Sequence, residues 1–354
     1  MQNPLATNYF VYAGTYGEGV YAFRFDPQAG TLEPIGLVGT IENPSYLTTD
    51  RDYRYLYAVS ELMGDAEGAV GAFKIDRNKG KLDFLNSAPS GGVAPCHLTV
   101  DDTGNVLLVA NYVTGSVSSY PIQDGRIGKM SSLMTAEGVG VNPARQEGPH
   151  AHYVVIGADH LVYVVDLGLD RIRLYRLNSA DATLAPNNPP FNQVEGGLGP
   201  RHFVFSPDAR FIYVMNELKP QVTVYSHDAA TGRMSAVQSV RTLPDNYTEE
   251  TTGAGIALTP SGRFLYTTNR GHNSVQAFSV SQGGGAVERI QIISTDKTPR
   301  GFNMDPSGTF LLVAAQDSNT LQLYRIDSQT GKLSPSGQPA EVPSPVDVLF
   351  VPMS

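Results

Sequence analysis

A single stretch, Gly199-Pro-Arg-His-Phe-Val-Phe-Ser-Pro-Asp-Ala-Arg-Phe-Ile-Tyr-Val-Met-Asn-Glu-Leu218, recurs in weaker copies along most of the chain. Self-similarity at a fixed period restricts the possible folds more than any other feature here, because each copy must bury its apolar faces against its neighbours. The stretch reads as two short strands, Phe203 to Phe205 and Phe211 to Val214, rich in aromatic and β-branched residues and joined by a Ser-Pro-Asp turn. Antiparallel pairing sets the start of the first strand beside the end of the second, which brings Arg201 and His202 close to Asn216 and Glu217.

Seven copies are visible. They open at Pro44-Ser-Tyr-Leu, Pro95-Cys-His-Leu, Pro149-His-Ala-His, Pro200-Arg-His-Phe, Gly253-Ala-Gly-Ile, Pro299-Arg-Gly-Phe and Pro345-Val-Asp-Val, at spacings of 46 to 54 residues. The second strand ends about sixteen positions on, at Ser60, Asn111, Asn216, Asn269 and Ala315, with Asp166 one place later. A third strand follows, as in Val117 to Tyr120 and Val222 to Tyr225. A fourth comes after an Asp/Gly turn, at Asp26 to Gly30, Asp76 to Gly80, Asp228 to Gly232 and Asp327 to Gly331. Four antiparallel strands per repeat make a propeller blade. The first unit begins with its second strand at Tyr9, and Pro345 to Pro352 matches Pro299 to Pro306, so the C-terminal strand is expected to complete blade one and close the ring. The expectation is an all-β, seven-bladed propeller forming one domain over residues 1–354.

Composition narrows the function. A net charge of −9 with no basic cluster argues against nucleic acid, whose affinity rests on Lys and Arg neutralising phosphates. No apolar run of 18 residues is present, so no membrane-spanning helix is expected. The opening Met1 to Asn8 has neither the basic region nor the apolar stretch of a signal peptide. The single cysteine, Cys96, forms no internal disulfide. A cytoplasmic protein is expected, a removed leader aside, and a closed ring is expected to be a monomer. An anionic substrate would need a local patch of arginine against the overall negative field.

The propeller geometry supplies that patch. Residues just before each first strand and just after each second strand share one mouth of the central channel. The leading positions hold His97, His150, His152, Arg201, His202, Arg300 and Asp347; the trailing ones hold Glu61, Asn111, Tyr112, Asp166, Glu217, Arg270, His272, Gln316 and Asp317. Five of the seven histidines are there, while His160 and His227 fall in turns of the opposite face, as exposed loop residues. Arg201, Arg270 and Arg300 from adjacent blades offer forks of N–H donors suited to a carboxylate, a phosphate or a developing oxyanion. Salt bridges to Glu217, Asp166 or Glu61 are the purely structural alternative. Histidine has the intrinsic pKa for acid or base work. His150 with His152 lacks the spacing of a helical zinc motif, and neither a metal nor another cofactor is expected. Cys96 reads as a small buried residue rather than a nucleophile, and no GxSxG elbow is present.

Gly199 to Asp208, Tyr213-Val-Met-Asn-Glu217, Asn269-Arg-Gly-His272, Pro299-Arg-Gly-Phe302 and Asp166-Leu-Gly-x-Asp170 resemble the bacterial propeller-type 6-phosphogluconolactonase family, to which fungal carboxy-muconate cyclases look related. The resemblance covers nearly the whole chain. It implies a catalytic set of histidine, arginine, glutamate and a second arginine, which carries over onto His152, Arg201, Glu217 and Arg270. The fourth blade has one extra residue, which leaves His150 as the alternative histidine. The remaining rim residues, His97, His150, His202, His272, Arg300, Asn111 and Asp166, are expected to bind substrate. Tyr112-Val-Thr-Gly115 and Glu61-Leu-Met-Gly64 depart from the family pattern at positions that face the substrate. The implied activity is hydrolysis of a small anionic or sugar-derived lactone, with a cyclase-type lyase and a non-catalytic binding propeller as alternatives.

Overall fold

The computed structural model describes residues 8–354 apart from 65, 158 and 159. The opening segment Met1 to Asn8, which lacks the pattern of a leader, therefore lies almost wholly outside the described residues. Seven antiparallel sheets form a ring. The fifth blade, which carries the twenty-residue stretch, orders Pro200–Phe205, Phe211–Asn216, Gln221–His227 and Met234–Arg241 from the channel outward. Two blades split their outer strand into two short pieces, such as Arg126–Ile127 and Ser132–Met134, and otherwise each has four strands. The C-terminal strand Pro345–Pro352 pairs with Tyr9–Thr15 as the innermost strand of the first blade, with Tyr9 opposite Pro352. The ring is thus closed by its two chain ends. A 3-10 turn spans Gln316–Ser318, and no helix among the described residues is long and apolar enough to cross a membrane.

The core lies between blades rather than in the middle of the ring. Seven apolar clusters occur, one at each blade–blade junction; the closing junction packs Phe310 and Leu312 against Tyr9, Phe25 and Phe350. This explains the unbroken apolar run Phe211 to Met215. Ile212 and Val214 face the cluster shared with the fourth blade, while Tyr213 and Met215 face that shared with the sixth. A strand buried on both faces needs apolar residues at every position. The outer turns follow the Asp/Gly pattern: Asp327 accepts hydrogen bonds from the backbone N–H of Gln329 and Thr330, and Gly331 takes a φ of 69° that a side chain would disfavour. Toward the axis the innermost strands converge so closely that a β-carbon on Gly301 would overlap the carbonyl oxygen of Val346. Packing between blades at that point sets where the neighbouring Arg300 projects.

His227 departs from the expectation of a free loop residue. Its ring nitrogens meet the Tyr163 hydroxyl at 2.7 Å and the Ala209 carbonyl at 2.6 Å, which ties the fourth blade to the fifth.

Candidate active site

A repeated backbone irregularity builds the site. Near the start of the innermost strands the ladder slips by one residue: Pro95 faces Asn111 but His97 faces Ala110, and the same slip leaves His152, Arg201 and Arg300 unpaired in the next three such blades. A bulge of this kind re-aims the extra side chain out of the sheet. Cys96, His152, Arg201 and Arg300 therefore occupy equivalent positions. His152 is the bulge residue and His150 precedes the strand. The residues that end or follow the second strands, Tyr16, Glu61, Tyr112, Glu217 and Arg270, meet them from the other side. All of these except Arg201 line a cavity of about 330 Å³, while Arg201 lines an adjoining one of about 250 Å³ that shares Cys96 and Arg300.

Glu217 lies at the centre of its charge network. Its Oε2 accepts from Arg201 Nε at 3.0 Å and forms an ion pair with Arg270 Nη2 at 2.8 Å, and its Oε1 accepts from Arg145 Nη2 at 2.6 Å. Burial alone would push its carboxyl pKa up, but the Arg270 and Arg201 charges, with the Arg145 hydrogen bond, hold it well below the usual carboxylate range. It is an anion throughout the physiological range. Arg201 is 2% exposed; burial and the charges of Arg270 and Arg300 lower its pKa to about 9, still cationic at neutral pH. Its Nη1 donates to the Ala254 carbonyl at 3.0 Å, which fixes the guanidinium plane.

Arg300 is held differently. Its Nη2 lies 3.9 Å from Glu61 Oε1 and its guanidinium sits over the Tyr16 ring at 5.1 Å. Glu61 is in turn bonded by the Tyr16 hydroxyl at 2.9 Å and by the Ser45 hydroxyl. Arg300 has no hydrogen bond to any described residue, so its N–H donors are available to a guest. His152 is buried, with Nδ1 3.9 Å from the Cys96 sulfur and no partner on Nε2 among the described residues. Burial and the Arg201 charge push its pKa well below the ordinary histidine value, although Glu217 opposes them, so the imidazole is neutral. Burial likewise pushes the Cys96 thiol far up, which makes it a poor nucleophile.

The other rim candidates divide. His97 and His202 lie below the mouth in the channel: His97 is sandwiched between Tyr46 and Tyr153 at ring distances of 4.0 and 4.1 Å, and His202 packs 5.2 Å from His152. Burial lowers the pKa of both well below the usual value. Asp347, farther along the same channel, is pushed up by burial to about 7. His150 stacks on Tyr112 at 4.5 Å, with its nitrogens on the Tyr112 carbonyl and Glu147. It supports the wall from behind. Asp166 is fully buried, accepting from the His150 and Leu169 amides and pairing with Arg173 at 3.3 Å. Asn111 is also fully buried, donating to Ser90 and Ser116; Asn216 and Asn269 make the same kind of latch at the matching positions. These three repeat positions tie strands together rather than line the cavity. His272 bonds Ser274 at 2.6 Å and packs on Tyr247, away from the cavity wall. Among the described residues no three His, Cys, Asp or Glu side chains gather as a metal would require.

Arg145 was not among the sequence candidates. It sits neither before a first strand nor after a second but in the connection between Ser132–Met134 and Ala151–Ile156. The available signal was the 54-residue spacing from Pro95 to Pro149, the widest of the series, which places extra chain beside the mouth.

The site can be compared with known proteins. The family described as "Lactonase, 7-bladed beta-propeller" matches residues 10–350. The chain is 35% identical to a 6-phosphogluconolactonase of Bacillus subtilis over 98% of its own length and 99% of the relative's. It is 33% identical to one from Formosa agariphila, over 90% and 91% of the two lengths. The structure of a periplasmic gluconolactonase from Pseudomonas aeruginosa superposes with a TM-score of 0.93 at 32% identity, covering 98% of this chain and all (100%) of that one. The bulge-built cavity, with its arginines and neutral histidine, is thus set in a chain that belongs to the family of seven-bladed propeller lactonases.

Proposed function

We propose that the chain hydrolyses a sugar-derived lactone, with His152 as general base and Arg201 and Arg270 as the groups that stabilise developing charge. The observation that carries this reading is one cavity holding a neutral imidazole with an unengaged Nε2 beside guanidiniums clamped in place by Glu217. A water lying against His152 Nε2 gives up a proton as its oxygen attacks the lactone carbonyl carbon. The carbonyl oxygen becomes an oxyanion facing arginine N–H donors that need no reorganisation. Collapse breaks the bond from the acyl carbon to the ring oxygen, and the imidazolium returns its proton to the departing alkoxide. One water is consumed and a hydroxy acid leaves. Glu217, with both oxygens in charge-assisted bonds, is a poor base; its part is to hold the arginines and to favour the transient imidazolium.

Because the base must be unprotonated, activity falls as pH drops through its pKa. The lowered pKa of His152 places that fall below the usual histidine value of 6.5. The profile of kcat/KM is therefore expected to be flat through pH 6.5 and to decline only at lower pH. An acid limb at or above 6.5 would count against His152.

The names of the relatives include both a phosphorylated and an unphosphorylated gluconolactone. The test is a pH-stat panel of both kinds of aldonolactone, with and without chelator, scored against spontaneous opening. Acceleration of at least one lactone is expected. A null across the panel would move the reading to the cyclase-type lyase.

A further inference from the structure

Arg145 differs from the other three arginines of the site. The side chains of Arg201, Arg270 and Arg300 are 3, 16 and 17% exposed, whereas that of Arg145 is 39% exposed. It is the arginine an arriving guest meets first. Its backbone is nonetheless pinned: the next residue, Gln146, is fully buried, donates from Nε2 to the Leu167 carbonyl at 2.9 Å and accepts from the Asn142 amide at 3.0 Å. The arrangement is a fixed base carrying a partly exposed head.

That head holds Glu217 Oε1 at 2.6 Å and the Tyr112 hydroxyl at 3.3 Å through a single nitrogen, Nη2. Its Nε and Nη1 donors have no hydrogen-bond partner among the described residues. On the opposite oxygen of Glu217, Arg201 and Arg270 are both engaged and both deeper. Three guanidiniums (Arg145, Arg270 and Arg300) line the cavity with two carboxylates, Glu61 and Glu217, and a fourth, Arg201, pairs with Glu217 from outside the lining, in a chain whose net charge is −9. Among the described residues the cavity carries an excess of positive charge, and it suits an anionic guest.

We propose that Arg145 is an exchangeable clamp: an anionic group on the lactone draws its guanidinium away from Glu217, and the substrate's own charge thereby readies the base at His152. The proposal rests on the lactonase reading above. The groups facing the His152 ring are Arg201 and Arg300, which disfavour its protonation, Glu217, which favours it, the neutral Cys96 thiol, and the rings of His202 and Tyr112. Glu217 is the sole anion of that set, and Arg145 masks it. When Arg145 turns to the guest, Glu217 keeps two cations instead of three and the imidazole becomes a stronger proton acceptor as water attacks. A neutral lactone binds without this exchange.

The test compares glucono-δ-lactone with its 6-phosphate on the wild type, Arg145→Met and Arg145→Lys. The wild type is expected to prefer the phosphate, and Arg145→Met to lower the ratio of kcat/KM values by at least about tenfold, the effect of one charge-assisted hydrogen bond, mainly through KM. Arg145→Lys, which keeps the charge but not the fork, falls between them. Removing a cation raises a neighbouring base's pKa. For the wild type on the phosphate, the acid limb of kcat should therefore lie at higher pH than that of kcat/KM, and in Arg145→Met the two limbs should coincide. A merely structural Arg145 would lower turnover of both lactones equally and leave the limbs in place, which would overturn the proposal. A wild type inert toward both lactones would instead overturn the lactonase reading, and this proposal with it.

Discussion

Glu217→Gln is expected to lower kcat/KM for lactone opening at least about a hundredfold, the scale of losing a preorganised electrostatic group. The substitution keeps the shape and removes the charge. Arg201, Arg270 and Arg145 lose their shared anion, and His152 loses a carboxylate that favours its protonated form. The same change leaves buried guanidiniums uncompensated, and breaking a buried ion pair destabilises a fold by about 3–5 kcal/mol. A thermal-unfolding scan should therefore show a lower midpoint alongside the kinetic loss. Turnover that survives intact in folded protein would remove Glu217 from the site.

The second large effect is expected at Arg201. Arg201→Ala removes the deepest guanidinium, whose Nε engages Glu217 and whose Nη1 is fixed on the Ala254 carbonyl. Loss of one oxyanion-type donor costs about 10²–10³ in kcat. Arg201→Lys should not restore the rate, because an ammonium cannot reproduce a fork aimed along two directions. Steady-state kinetics on the best lactone of the panel separates the two cases. A lysine variant with near wild-type kcat would show that only the charge matters there.

Much of the site is legible before any coordinates, and the reason is periodic. In a propeller every blade presents the same two positions to one mouth, so finding the repeat amounts to finding the rim. Glu217, Arg270, Arg300 and His152, which line the cavity, and Arg201, which pairs with Glu217, are all rim positions of the repeat, as the closing strand Pro345 to Pro352 is its missing copy. The repeat does not distinguish a rim residue that faces the cavity from one that latches the blade. Asn111 and Asp166 hold rim positions yet spend their polar atoms on neighbouring strands, and His97 and His202 drop below the mouth because the bulge turns alternate residues down the channel.

What the chain's order of residues settles is whatever repeats: blade number, strand alternation, Asp/Gly turns, and the set of side chains brought to one face. These depend on short-range pattern and on burial of both strand faces, which every copy shows alike. What only folding in three dimensions settles is what happens once in the molecule. The slip recurs among the blades, but only in the fourth does it aim a histidine, His152 rather than His150, into the cavity. The presence of Arg145 depends on the irregular connection between Ser132–Met134 and Ala151–Ile156. The clamping of Glu217 by three arginines depends on the distances at which separate blades meet around the axis, and charge–charge energies are set by those distances rather than by separation along the chain.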